Sequence, residues 1–145
     1  MKRPGRIAEP QSEKRPVALE PQDWRDDYPS WRVREVLLVD PFGWHNINTD
    51  QMRQIHGRLS ALERMTWREI LNPSMGRRKH HFMPVGEIPK DAQRQLEEKK
   101  LGDTDDLVSL RIGKAERVWG ILQGSTLLLL WWDPFHLVYK MDVTG

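Results

Sequence analysis

An uninterrupted run of six bulky apolar residues, LLLLWW at positions 127–132, most constrains what this chain can fold into. The run stands in a sequence with 30% charged residues and ends at Asp133-Pro134. Six residues are far fewer than the roughly 20 that cross a bilayer. A short, continuous apolar run is instead typical of a β-strand that is covered on both faces. We therefore expect residues 127–132 to form the central strand of a small sheet.

Three further segments are predicted to be strands. Residues 107–112 and 117–122 are apolar runs, and the connections GKAE and QGS indicate a hairpin-linked meander that continues into residues 127–132. Upstream, WRVREVLLVD at positions 31–40 alternates, is rich in β-branched residues and stops at the turn cluster DPFG. The sheet is therefore expected to have about four strands and to be mostly antiparallel.

Two or three helices are expected to pack on this sheet. The first is predicted over residues 49–63, because apolar residues recur there at three- and four-residue spacing: Met52, Ile55, Leu59 and Leu62. Thr66 and Glu69 have the spacing of a capping box, which predicts a short second helix. Pro89 and Gly102 bracket a third, over residues 89–100. The predicted fold class is α+β.

The first 30 residues differ from the rest of the chain. They hold five of the ten prolines and six Lys/Arg against six Asp/Glu. Such a segment buries too little apolar surface to offset its ordering entropy, so residues 1–30 are predicted to be a flexible arm and residues 31–145 a single domain. Residues 73–86 are predicted to be a loop.

Several classes of function are excluded or disfavoured. The absence of cysteine excludes disulfides, thiolate catalysis and zinc–thiolate sites. Adjacent His80 and His81 point apart and have no acidic partner at ligand spacing, so a metal site is not expected. The sequence has no glycine-rich phosphate loop, and no cofactor is expected. The N-terminus MKRPGRIAEPQ lacks the apolar core of a secretory signal. The protein is expected to be cytoplasmic, without a membrane partner.

Charge is distributed unevenly along the chain. Residues 51–81 hold seven Lys/Arg against two acids, a balance of +5, whereas residues 87–106 hold four against seven, a balance of −3. A basic segment of this kind favours a polyanionic partner, although a solvated surface is the alternative explanation. Arg77, Arg78 and Lys79 are predicted either to contact RNA phosphates or to form a solvated turn.

The C-terminal half resembles the RelE/ParE superfamily of bacterial toxins. In that family an arginine-bearing strand enters a short turn, a second arginine opens the next strand, and an apolar strand leads into a tail with a His, Arg and Tyr cluster. The matching positions here are Arg111, Lys114, Arg117, Trp119, 127–130, His136 and Tyr139. The resemblance covers residues 105–141 by motif and 31–141 by the order of elements. The Trp131-Trp132-Asp133-Pro134 sequence and the long acidic segment 73–106 depart from the family pattern.

The resemblance implies a RelE-like fold and a toxin of a toxin–antitoxin system that cleaves mRNA without a metal, alone or at the ribosome, and is neutralised by a small antitoxin. Arg111 and Arg117 would bind the scissile phosphate and His136 would transfer a proton. Tyr139 would position the nucleotide, assisted by Lys114 or Lys140. The alternatives are solvent-facing arginines and structural His and Tyr side chains. Some family members do not cut RNA, so a non-catalytic module that binds a protein or nucleic acid is the second hypothesis.

Overall fold

The computed structural model describes residues 23–72, 80–135 and 137–138. They form an α+β fold, which confirms the predicted class. The five strands are β1 (Ser30–Arg32), β2 (His80–Pro84), β3 (Asp106–Arg111), β4 (Arg117–Gln123) and β5 (Thr126–Asp133). The three α-helices are α1 (Thr49–Leu62), α2 (Trp67–Ile70) and α3 (Lys90–Glu98).

The strands form one mixed sheet in the order β1-β5-β4-β3-β2. β1 pairs parallel to β5, and the other three pairings are antiparallel. β5 is therefore an interior strand, as its apolar run predicts, but the middle position belongs to β4. The sheet has five strands rather than about four, because residues 80–84 add an edge strand next to β3.

Helices cover both faces of the sheet. α1 and α2 pack with Leu127, Leu129 and Trp132 on one face, which we call the α1/α2 face. α3 packs with Leu128, Leu130 and Trp131 on the other, the α3 face. The side chains of residues 127–132 are all buried, so the expectation of a strand covered on both sides is confirmed. Alternation along the strand places successive side chains on opposite faces and thereby builds both cores.

A β-bulge interrupts that alternation. Trp119 pairs with Trp131, yet Gly120 pairs with Leu129, so Leu130 is the extra residue on β5. As a result Leu130 and Trp131 both contribute to the core of the α3 face. Gly120 is needed here, because a Cβ at this position would lie 2.8 Å from Leu127 Cγ and still closer to the Leu128 carbonyl oxygen.

The helix boundaries follow local sequence signals. Thr66 and Glu69 form the predicted capping box at the start of α2. Asn48 and Gln51 form a second capping box at the start of α1. α3 ends two residues before the predicted limit. It is tied to the sheet by Trp131, whose Nε1 donates to Gln95 Oε1 at 2.9 Å.

Two predictions about the chain outside these helices are wrong. The strand predicted over residues 31–40 ends at Arg32, after which the chain runs as an irregular loop along the edge of β5. In this loop Leu37 N donates to Leu130 O, and only Leu37 is fully buried between positions 33 and 41. The apolar residues around it therefore do not form a regular strand. The loop predicted over residues 73–86 contains β2. Its polar start does not indicate a strand from the sequence, and the strand forms because it pairs with β3.

The predicted arm, residues 1–30, falls largely outside the described residues. Its last part contacts α2: Arg68 Nε donates to Asp26 Oδ1 at 2.9 Å and Arg68 Nη2 to Asp23 Oδ2 at 3.0 Å. Trp67 N also donates to Asp27 O at 3.0 Å. Within the part of the chain that the structure describes, no helix is long and apolar enough to cross a membrane.

Candidate phosphate-binding site at the β3–β4 hairpin

The hairpin between β3 and β4 brings two predicted site residues together. Arg111 lies directly opposite Arg117 in the antiparallel register, and Arg117 lies opposite Asp133 on β5. Residues that face each other in this way share one side of a sheet. The row Arg111–Arg117–Asp133 lies two residues along the strands from the row Ser109–Trp119–Trp131, whose tryptophans belong to the α3 face. Because side chains alternate between faces, the arginine row also lies on the α3 face.

Both guanidinium groups bind the carbonyl groups of the hairpin loop. Arg111 Nε donates to Gly113 O at 2.9 Å. Arg117 Nη1 donates to the carbonyl oxygens of Gly113, Lys114 and Glu116, at 3.3, 3.2 and 3.0 Å. The Arg117 side chain is 6% exposed, whereas Arg111 is half-buried. The two arginines therefore fix the hairpin loop as well as bringing two positive charges to one place.

The electrostatic environment of Arg117 is unfavourable for a cation. Burial lowers the pKa of Arg117, and the neighbouring positive charge of Arg111 lowers it further. Asp133 and Glu116 act in the opposite direction. Like charges placed directly opposite across a strand pair destabilise a sheet, so an anion that touched both guanidinium groups would be bound favourably.

Asp133 anchors the chain that leaves β5. Its carboxylate is fully buried and accepts hydrogen bonds from Leu137 N at 2.8 Å and Val138 N at 2.7 Å. Val138 is fully buried in the core of the α3 face. Residues 137 and 138 are therefore fixed on the same face of the sheet as the Arg111–Arg117 pair.

The structure thus brings Arg111, Lys114 and Arg117 together, with Lys114 exposed in the hairpin loop. The other predicted site residues lie outside the described residues: Arg77, Arg78, Lys79, His136, Tyr139 and Lys140. Trp119, Trp131 and Trp132 are buried in the core and offer no exposed ring at this site.

Two residues near the pair were not identified as site residues from the sequence. Asp133 was predicted only to end a strand, although a buried aspartate opposite an arginine is also its counter-charge. His80 Nδ1 accepts a hydrogen bond from Arg111 N at 3.1 Å and so links β2 to the site. Neither role has a local signal, because each depends on the strand register. Among the described residues, no group of three or more His, Asp or Glu side chains is placed to hold a metal ion.

No protein-family model, no curated protein and no solved structure matches this chain.

Proposed function

We propose that this protein is a RelE-like toxin, an endoribonuclease that binds the phosphate backbone of mRNA with Arg111 and Arg117. The observation that carries the proposal is the partly buried cross-strand pair of arginines, on the face of the sheet where Asp133 holds residues 137 and 138. Like-charge pairs with perturbed pKa values cluster at functional sites, and the guanidinium fork matches the oxygens of a phosphate. The order of elements also supports it: a strand, two helices and a three-stranded meander, with β2 and α3 inserted between them.

The proposed reaction needs no metal. The ribose 2′-OH adjacent to the scissile bond loses its proton and attacks phosphorus, and the 5′-oxygen of the next nucleotide is protonated as its bond to phosphorus breaks. His136 carries out one of these two proton transfers, and water carries out the other. The products are a 2′,3′-cyclic phosphate and a free 5′-hydroxyl. Arg111 and Arg117 stabilise the charge on the phosphorane, assisted by Lys114 or Lys140, and Tyr139 positions the nucleotide. Arg77, Arg78 and Lys79 would contact the RNA backbone at a distance from the reaction. The cytoplasm, where mRNA and ribosomes are found, is the proposed location, and a small antitoxin protein is the proposed partner.

A second candidate is a non-catalytic module that binds nucleic acid or protein. It is favoured by the contacts of Arg117, because Nη1 already binds three loop carbonyls and the side chain is nearly inaccessible. In this case Arg117 stabilises the hairpin, and Arg111 and Lys114 supply the exposed positive charge.

The test is cleavage of a 5′-labelled RNA by the purified full chain in EDTA, with and without ribosomes. We expect cleavage products that end in 2′,3′-cyclic phosphate. His136→Ala should reduce the rate about 10²–10⁴-fold, the usual contribution of a proton-transfer group. Arg111→Ala should also reduce it, whereas Arg94→Ala, which removes an exposed arginine paired with Asp91 on α3, should not. Folded protein that binds RNA without cutting it under either condition would establish the binding module instead.

A further inference from the structure

A pocket of about 370 Å³ lies on the opposite side of the sheet from the arginine pair. Its volume is within the range of about 300–1,000 Å³ typical of small-molecule sites. Phe82 belongs to the α1/α2 face, since it pairs with Val108. The lining residues come from the segment before β1, from α2 with the residues after it, and from β2: Trp24, Arg25, Trp67, Arg68, Leu71, Asn72 and Phe82.

Planar groups form the walls of this pocket. The rings of Trp24 and Phe82 meet edge to face, with centroids 6.2 Å apart and an interplanar angle of 83°. The Arg25 guanidinium lies over the Trp24 ring, 4.5 Å from its centroid. Phe82 is 43% exposed although it lies on a strand with two buried residues, His80 and Met83. Exposed ring faces and guanidinium planes are the surfaces on which unpaired bases stack.

Ion pairs hold the arginines in position. Arg68 uses Nε and Nη2 for Asp26 and Asp23, which raises the pKa of Arg68. Arg25 contacts Asp23 at 3.4 Å. Among the described residues at the pocket, the guanidinium groups of Arg25 and Arg68 are balanced by the carboxylates of Asp23 and Asp26, so these residues offer planar surfaces rather than net positive charge. Such chemistry suits an uncharged aromatic ring better than a phosphate.

We propose that this pocket binds one unpaired nucleobase of the RNA substrate by stacking. The inference rests on the proposed function, because it assumes RNA as the ligand. β2 is an edge strand and carries Phe82 on the α1/α2 face. Its neighbour β3 carries Arg111 on the α3 face. A single strand of RNA that wraps around the β2 edge would place a phosphate at the arginine pair and a base several nucleotides away in the pocket.

The experiment measures binding of a fluorescently labelled 2′-O-methyl oligoadenylate, which cannot be cleaved through its 2′-oxygen, to the full chain. Phe82→Ala should weaken binding about 5- to 150-fold, the range found for loss of one base–aromatic stack. Phe82→Trp should retain the affinity and Phe82→Leu should not, since leucine keeps the apolar bulk but lacks a ring. Leu38→Ala, which removes a 63% exposed side chain beside β5, is the matched control and should bind normally.

Salt distinguishes this pocket from the arginine pair. The loss caused by Phe82→Ala should be the same at about 50 and 200 mM salt, whereas the loss caused by Arg111→Ala should shrink as counterions compete. If Arg111→Ala weakens binding and Phe82→Ala and Phe82→Leu do not, the pocket inference is wrong while the proposed RNA site stands. If only the Phe82 variants weaken binding, the pocket is right and the arginine site is not. If the wild type does not bind the oligonucleotide at all, both proposals are overturned.

Discussion

Asp133 holds Val138 in the core: Val138 N donates to Asp133 Oδ2 at 2.7 Å, and both side chains are fully buried. The same carboxylate accepts from Leu137 N and faces Arg117 across the sheet. One buried charge therefore connects the end of β5, residues 137 and 138, and the hairpin arginine. This arrangement explains why the longest apolar run in the chain stops at an acidic residue.

Replacing Asp133 should destabilise the protein more than replacing an exposed aspartate does. Asp133→Ala leaves two backbone N–H groups without their acceptor and Arg117 without its counter-charge, which should cost about 2–5 kcal/mol of unfolding free energy. Asp133→Asn keeps one acceptor oxygen and should cost less. Urea denaturation measures both, with the exposed Asp103→Ala as control. Equal stability of Asp133→Ala and Asp103→Ala would contradict the anchoring role.

The two hairpin arginines should differ in what they contribute to stability. Arg117→Ala removes three hydrogen bonds to loop carbonyls and should lower the unfolding free energy by about 1–3 kcal/mol. Arg111→Ala removes one such bond but also relieves the repulsion between the pair, so its net effect should stay within about 1 kcal/mol. Arg111 is consequently the cleaner probe of function. Thermal unfolding of the two variants side by side tests this order, and a larger loss for Arg111→Ala would refute it.

The bulge on β5 should make one glycine irreplaceable. Gly120→Ala would push a methyl group against the Leu128 carbonyl and the Leu127 side chain, and we expect a loss of about 1–3 kcal/mol or more. Gly57→Ala is the matched control, because nothing lies within 4 Å of a Cβ at that exposed helical position. It should stabilise the protein by up to about 1 kcal/mol, since alanine is the better helix former. If the denaturation midpoints of Gly120→Ala and Gly57→Ala shifted in the same direction, β4 and β5 would not be packed closely at Gly120.

Asp40, in the loop beside α3, gives the stability of the protein a specific pH dependence. A hydrogen bond from Asn46 Nδ2, at 2.9 Å, is the main cause that lowers the pKa of Asp40 from its ordinary value of 3.8, and His45 adds to it. Because the folded-state pKa is lowered, this carboxylate contributes to stability above pH 3.8, and the contribution is lost as the pH falls through the lowered value.

Asn46→Ala should therefore raise the pKa of Asp40 towards 3.8, and His45→Ala should raise it less. Carboxyl chemical shifts followed by NMR during an acid titration report both values. An unchanged Asp40 titration in Asn46→Ala would show that the hydrogen bond does not form in solution.

Local sequence signals were sufficient for the helices and for the main strands. The capping boxes at Asn48 and Thr66 are interactions between residues three apart, so the sequence alone specifies them. The apolar run at 127–132 likewise required burial on both faces, whatever its neighbours. β2 was missed because an edge strand needs only one partner, and its HHF start carries no alternating pattern.

The candidate site is where sequence reasoning stopped. The sequence shows that Arg111 and Arg117 bring positive charge to a hairpin. Whether the two side chains face each other depends on the strand register, because a shift of one residue would place them on opposite faces of the sheet. The pocket of Trp24, Trp67 and Phe82 gathers residues from three distant segments, and no spacing rule connects them. The sequence by itself determined that residues 127–132 are buried and where the helices begin, because these depend on neighbouring residues and on hydrophobicity. Only the tertiary structure decided which polar side chains meet, because strand register and the packing of distant segments set those distances.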